Sequence, residues 1–265
     1  MEIQRNRPVA IVLAATDIGT LLVNRYDYNQ IGNCLYGVGC QVLNTASYER
    51  DEITLVQDLL QRRRDIYGGG VVAVDCGANV GCHAVAWASL MSGWGEVIAI
   101  EAQERVYYML AGNIAMNNCF NARAIWAAVG EAKGSMEVPV PDYLTPSSFG
   151  SLEIRNNPGS EFIGQRIDYT RGKMITTPLI ALDDLRLDRA DLLKIDVEGM
   201  EMDVLRGATA TILKSRPVIL VEMIKTERSR IERFLSQFGY EFFPIGMNLL
   251  CLAGEDQILK RGWRP

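Results

Sequence analysis

The chain has 265 residues, 48% of them hydrophobic, which is enough to bury one sizeable core but cramped for two large domains. A formal net charge of −5 argues against a general nucleic-acid surface, which needs a basic footprint to displace counterions from phosphates. No run of about 18 apolar residues could span a membrane and no charged-then-apolar leader is evident; six cysteines without a C-x-x-C pair, beside a single histidine, disfavour structural zinc. The expectation is a cytoplasmic protein with free thiols.

The apolar runs Val9 to Leu13 and Thr20 to Val23, separated by Asp17-Ile18-Gly19, predict a β-hairpin within Arg7 to Val23. Asn24 to Tyr28 mixes aromatic and charged groups, and Gly32 to Gly39 is glycine-rich. This stretch reads equally as a cover for a crevice mouth or as a surface connector. Ile53, Val56, Leu59 and Leu60 predict a helix from Glu49 to Arg64, with Arg62-Arg63-Arg64 as a solvated helix end where cations favour the dipole. Gly68-Gly-Gly70 closes an N-terminal extension, residues 1–67, before a main domain at residues 68–265.

Val71-Val-Ala-Val-Asp75-Cys-Gly77-Ala78-Asn79-Val-Gly81 reads as a buried parallel strand, a glycine turn and a helix start. A ligand is expected at the strand's C-terminal end, facing the helix amides, with Asp75 at the lip. The spacing Gly77-x-x-x-Gly81 is neither the G-x-G-x-x-G dinucleotide fingerprint nor a P-loop. It resembles the first motif of S-adenosylmethionine (SAM) methyltransferases. That resemblance implies Asp75 facing the methionine end of the cofactor, and Glu101, closing the next strand from Glu96, holding the ribose hydroxyls. A carboxylate suits a diol, and one strand-turn-helix-strand step of about 20 residues is the expected separation.

Val106, Met109, Leu110 and Ile114 continue as a helix ending at Asn117-Asn118, and Ala124 to Gly130 reads as the third strand. Small Ala127 and Ala128 leave room for an adenine ring, though packing explains them equally well. Between Gly134 and Thr177 the pattern breaks into short strands at Ser135, Ser147 to Ile154 and Lys173, with long loops punctuated by Pro139, Pro141, Pro146 and Pro158. We read this as an ordered substrate-side insertion.

Asp191 to Glu201 forms a second chemical stretch, a buried strand opening into a helix through Gly207. If extended, Lys194, Asp196 and Glu198 share one face, with Asp196 across the crevice from Gly77 and Glu201 beginning the helix. Pro217 to Glu222 is another apolar strand ending in a carboxylate. Arg230 to Gln237 is amphipathic, and Tyr240 to Phe243 with Leu249 to Leu252 predicts an antiparallel pair.

Lys194-Ile-Asp-Val-Glu-Gly-Met-Glu201, with Val204-Leu-Arg-Gly-Ala208 behind it and Asp75-x-Gly-Ala-Asn-x-Gly81 ahead, resembles the FkbM-type SAM-dependent methyltransferases over roughly Val71 to Glu222. The resemblance implies an α/β, doubly wound, mostly parallel seven-stranded Rossmann-like sheet with its last strand antiparallel. It also implies O-methylation of a hydroxyl on a sugar, glycan or natural product. Gly77, Ala78, Asn79, Gly81, Ala102, Gln103, Ala127 and Ala128 join Asp75 and Glu101 as cofactor candidates, and Ser148, Phe149 and Lys194 as substrate candidates, with Phe149 facing the acceptor. Many relatives carry Glu-Pro where this chain has Glu101-Ala102, which bears on the adenine contact.

Methyl transfer from a sulfonium needs an aligned hydroxyl and a proton acceptor. Asp196 is the first candidate, because a charge closing an apolar strand is costly unless it faces the crevice; Glu198 and Glu222 follow. Those three could bind Mg²⁺ through oxygens, but no known ligand spacing favours it and no metal is assigned. His83 reads as a packed or helix-surface residue ahead of a base. The competing class is a non-catalytic SAM-binding module in a glycan or natural-product assembly complex; a nicotinamide-dependent reductase is disfavoured by the glycine spacing. Expected partners are a small-molecule or glycan acceptor, with no nucleic acid and no membrane span. Oligomeric state is not legible.

Overall fold

The computed structural model describes residues 8–157, 159–170 and 172–264. Arg7, the first residue of the predicted hairpin stretch, the chain before it and Pro158 lie outside the described residues. The extension comprises the hairpin β1 (Ile11–Thr16) and β2 (Gly19–Asn24), the small ribbon β3 (Asn29–Ile31) and β4 (Cys34–Tyr36), α1 (Val38–Thr45) and α2 (Arg50–Tyr67). The alternating unit follows: β5 (Val71–Cys76), α3 (Cys82–Leu90), β6 (Gly95–Glu101), α4 (Glu104–Met116) and β7 (Ala122–Trp126). Three strands then pair apart from the main sheet: β8 (Ala128–Val129), β9 (Gly134–Pro139) and β10 (Met174–Ile180). The chain closes through β11 (Leu192–Ile195), α5 (Glu201–Gly207), α6 (Thr209–Ser215), β12 (Val218–Glu222), α7 (Arg228–Ser236), β13 (Tyr240–Ile245), β14 (Asn248–Ala253) and α8 (Gln257–Lys260).

The main sheet has seven strands in the order β13-β14-β12-β11-β5-β6-β7, with β14 antiparallel to both neighbours and the other pairs parallel. The continuous apolar runs predicted for its central strands are used on both faces. Ala73, Leu192 and Leu220 enter one core with α2, α3 and α4, while Val74, Leu193 and Val221 enter the other with α5, α6 and α7. A strand with one polar face could not sit there, because successive side chains point to opposite sides.

The extension is built into the first of these cores through Leu21, Val23, Val38 and Val42. Two asparagines of the α4 segment complete the edge of β2 as a neighbouring strand would. Asn113 accepts from Leu22 N–H (2.6 Å) and donates to Leu22 C=O (3.1 Å), and Asn117 does the same for Thr20 (3.0 and 2.8 Å). Otherwise these edge groups would lose their partners at a cost of about 1–3 kcal/mol each.

Three expectations need correcting here. The third strand stops at Trp126, with Ala127 N–H making its last ladder bond to the Glu101 carbonyl (3.1 Å); Ala128 and Val129 then pair with β10 in the three-stranded sheet. The Ser147 to Ile154 piece is a 3-10 turn at Phe149–Ser151 rather than a strand. Arg63 is not a solvated helix end: it is buried between Asp191 (3.1 Å) and Asp256 (2.6 Å) and ties α2 to β11 and α8. No helix among the described residues is long and apolar enough to cross a membrane.

Candidate active site

Strands β5, β6, β11 and β12 all end at one cavity, roofed by residues of the extension and of the segment between β9 and β10. The β5 turn forms one wall. Gly77 has φ +83°, and a Cβ there would fall 1.7 Å from the Asp196 carbonyl oxygen, so only glycine lets β5 and β11 end side by side. Gly77 and Ala78 both donate their N–H to Ile100 C=O (2.9 Å each), and Gly81, at φ +89°, enters α3 where a Cβ would meet Leu110 at 2.6 Å.

Glu101 closes β6 with its carboxyl on the cavity wall. One oxygen accepts from Asn79 N–H (3.0 Å) and the other from Gln103 N–H (2.8 Å). Burial pushes this carboxyl up to about 7 in spite of the two amides. Each oxygen keeps a second lone pair, so the group can still accept two more hydrogen bonds. Gln103 donates to Phe149 C=O (2.8 Å) and accepts from Tyr143 OH (3.1 Å), linking this wall to the inserted loop. Buried Ala127 and Ala128 line the cavity beside Ala102.

Acidic groups gather at the other end. Lys194, buried in β11, reaches Asp196 Oδ2 at 2.8 Å, and the oxygens of Asp196, Glu198 and Glu222 come within 4.8 Å of one another. Burial alone would disfavour the Lys194 charge, but Asp196, Asp75, Glu52 and Glu49 outweigh it and hold the ammonium well above its ordinary value. Burial, reinforced by the Asp196 charge, lifts Glu222 to about 8 and raises Glu198 well above the carboxyl range. Glu198 does not continue the strand as expected: its φ of +53° starts a turn with Gly199, and β11 ends at Ile195. Lys194 and Asp196 alone keep the shared face. Glu201 is fully buried, accepts from Gly199 N–H (2.9 Å) and Thr226 OH, and anchors the start of α5.

Of the residues singled out from sequence, Gly77, Ala78, Asn79, Glu101, Ala102, Gln103, Ala127, Ala128, Ser148, Lys194, Asp196, Glu198 and Glu222 line this cavity. Asp75, Gly81 and Phe149 do not. Asp75 is 1% exposed and sits inside the wall instead of at its lip, with both oxygens lacking hydrogen bonds. Burial raises its carboxyl, though Lys194 and His83 pull the other way. Phe149 is buried against the Tyr143 ring (4.8 Å between centroids), so its side chain serves packing and does not face the acceptor.

Of the two readings of Asn24 to Gly39, the structure has the cover, with Tyr36, Gly37 and Val38 on the cavity, while sequence reasoning missed the residue that pins it. Asp27 is buried and accepts from Gly39 N–H (3.0 Å) and Phe149 N–H (2.9 Å), holding the extension to the inserted loop; burial lifts it to about 6. Tyr36, Val38 and Gln41 thereby reach the cavity, as does Lys225, which pairs with Glu161 (2.6 Å). The mixed aromatic and charged run at Asn24 to Tyr28 was the available signal. His83 and Glu49 also line the cavity.

A mostly parallel α/β sheet with a glycine turn, a carboxylate closing the second strand and an acidic group closing the fourth belongs to the doubly wound, Rossmann-like class, which binds ligands at the C-terminal ends of its strands. The chain belongs to the Methyltransferase FkbM domain family, whose profile matches residues 75–242. It is similar to Methyltransferase sdnD of Sordaria araneosa, at 24% identity over 189 residues, 63% of this chain and 73% of that protein. Among solved structures it resembles Methyltransferase FkbM from Methylobacillus flagellatus KT, at 17% identity and a TM-score of 0.46 over 69% of this chain. The chain covers 43% of that structure's length. Precorrin-6y C5,15-methyltransferase from Geobacter metallireducens GS-15 aligns at 12% identity and a TM-score of 0.44, over 78% of this chain and 90% of that one.

Proposed function

We propose that the protein transfers a methyl group from SAM to a hydroxyl oxygen of a sugar, glycan or natural product. The observation that carries the reading is Glu101: its carboxyl, oriented by two backbone amides and with acceptor capacity left, lines the same cavity that the acidic group borders. That acceptor pair fits a ribose diol, and Gly77, Ala78 and Asn79 line the same cavity. Ala102, Gln103, Ala127 and Ala128 would flank the adenine, Asn79 and Ala78 the sugar, and Asp75, from within the wall, would add negative charge towards the methionine end. SAM, when bound, supplies the electrophilic methyl.

The chain's own part is to align the acceptor and remove its proton. Asp196, steadied by Lys194 at 2.8 Å, is the base or the positioning carboxylate for the acceptor oxygen. Glu222, held protonated up to about pH 8, donates a hydrogen bond into the site instead of competing for the proton. Glu198 is placed to do the same. Ser148 borders the acceptor side, and differences in the inserted segment would select the acceptor.

Calorimetry with SAM should give a dissociation constant in the tens of micromolar or tighter, about −6 kcal/mol. Labelled SAM incubated with a metabolite extract should then transfer its methyl to a hydroxylated compound. Binding without transfer to any acceptor would favour the non-catalytic module, and no SAM binding would overturn both.

A further inference from the structure

We propose that Glu49, Glu52 and His83 form a binding site for one divalent transition-metal ion in the wall of the cavity, on the side built by the extension. Glu49 immediately precedes α2 and Glu52 lies in its first turn, while His83 lies in the first turn of α3. Gln57 donates to Ala86 C=O (3.2 Å) and holds the two helices in this register. The His83 Nε2 atom then stands 3.1 Å from Glu52 Oε1 and 3.7 Å from Glu49 Oε2.

The second observation is that two of these atoms, His83 Nε2 and Glu52 Oε1, face each other at 3.1 Å as a charge contact without hydrogen-bond geometry. The His83 side chain is 6% exposed, yet its Nε2 has no hydrogen bond, and neither does Glu52 Oε1. The other Glu52 oxygen accepts from Asn248, which fixes the carboxylate and leaves Oε1 directed at the imidazole. Buried polar atoms are rarely left without partners, since each costs about 1–3 kcal/mol. A proton on Nε2 lies along one line and can serve one carboxylate well. A cation placed among the three atoms serves all of them.

The spacing agrees with that reading. Ligand atoms at about 2.0–2.2 Å from an ion stand about 3–3.6 Å from one another in octahedral or tetrahedral geometry, close to the separations observed. The Lys194 ammonium feels the charge of Glu49 and Glu52, but its direct ion pair is with Asp196. An imidazole beside two carboxylates favours Mn²⁺, Fe²⁺, Co²⁺ or Zn²⁺ over Mg²⁺ and Ca²⁺, which prefer oxygen alone. The group at Asp196, Glu198 and Glu222 differs in both respects: it is all oxygen, and Lys194 and Lys225 already stand at 2.8 and 4.0 Å from two of its members. Glu49 and His83 open onto the cavity, so an ion there could orient an acceptor oxygen. That role rests on the methyl-transfer reading; the binding does not.

The test is to strip the full chain with a chelator and titrate it with Mn²⁺ and Zn²⁺ by calorimetry and with Co²⁺ by visible absorption, measuring SAM binding on the same preparation. One saturable equivalent is expected, with Co²⁺ bands that include an imidazole ligand. His83→Gln and Glu52→Gln should each weaken binding by about tenfold or more, while Glu198→Gln leaves it unchanged. Glu49→Gln, at a side chain 34% exposed, makes the same test should the buried variants fail to fold. No saturable binding overturns the proposal, as does binding that survives His83→Gln and Glu49→Gln but is lost in Glu198→Gln. Metal binding without SAM binding would remove the methyl-transfer reading and leave this site standing.

Discussion

Gly77 and Asp196 meet backbone to backbone: the Asp196 N–H donates to Cys76 C=O at 3.0 Å, and a Cβ at 77 would overlap the Asp196 carbonyl oxygen at 1.7 Å. The β5 turn and the acidic end of β11 are therefore one mechanical unit in the cavity wall. Gly77→Ala must separate them or force φ +83° on alanine. We expect about 2 kcal/mol or more of lost stability, together with loss of SAM binding. Denaturant unfolding and calorimetry on the variant check this, and wild-type behaviour in both would remove the contact from the argument.

Glu101→Ala removes an acceptor for two hydroxyls, and hydrogen bonds to a charged group are worth about 1.5–3 kcal/mol. SAM affinity should fall by about one to two orders of magnitude. Because the carboxyl sits at about 7 and hydroxyl donors favour its ionised form, affinity should also rise with pH through that value. Calorimetry at pH 6 and 8 on wild type and variant reads both effects; equal affinities throughout would take Glu101 out of the site.

Asp196→Asn separates chemistry from folding. As base or positioning group, its loss should lower turnover by about 10²-fold while SAM binding and melting temperature hold. If it serves chiefly as partner to Lys194, the variant strands a buried ammonium and loses about 3–5 kcal/mol of stability. Melting temperature and single-turnover rate on one preparation decide, and normal turnover per folded molecule would end the catalytic assignment.

Glu222 links stability to pH. Its folded value of about 8 lies above the ordinary 4.5, so between these the native state holds a proton that the unfolded chain has released. Its contribution is fully present below about pH 4.5 and is lost as pH rises through about 8. Glu222→Gln should flatten that part of the stability profile. Urea unfolding at intervals from pH 5 to 9 gives the slope directly, and an unchanged slope in the variant would assign it elsewhere.

Arg63 offers a test of the scaffold remote from the chemistry. Arg63→Met leaves buried Asp256 without its guanidinium, while Asp191 keeps Arg189 at 2.7 Å, at an expected cost of about 3 kcal/mol. Residual folded protein should bind SAM normally. A variant as stable as wild type would mean that Asp256 finds another partner.

The framework could be read from sequence because burial repeats within each element. Unbroken apolar runs at Val71 to Val74 and Val218 to Val221 demand a strand covered on both faces, and Ile53, Val56, Leu59 and Leu60 demand a helix with one buried stripe. The turn at Gly77 and the carboxylate at Glu101 were legible for a similar reason: local spacing decides where a strand ends and what its end presents. Partner choice across the chain was not legible. Asp27 finds Phe149 N–H 122 positions away, Arg63 finds Asp256 193 away, and Glu49, Glu52 and His83 converge only when α2 packs on α3. Whether Phe149 faces the cavity or Tyr143, and whether Glu198 extends or turns, depends on which neighbour fills the space beside it. Such contacts are settled by tertiary packing, because a side chain's period fixes its face while its partner is set by elements arriving from elsewhere in the chain.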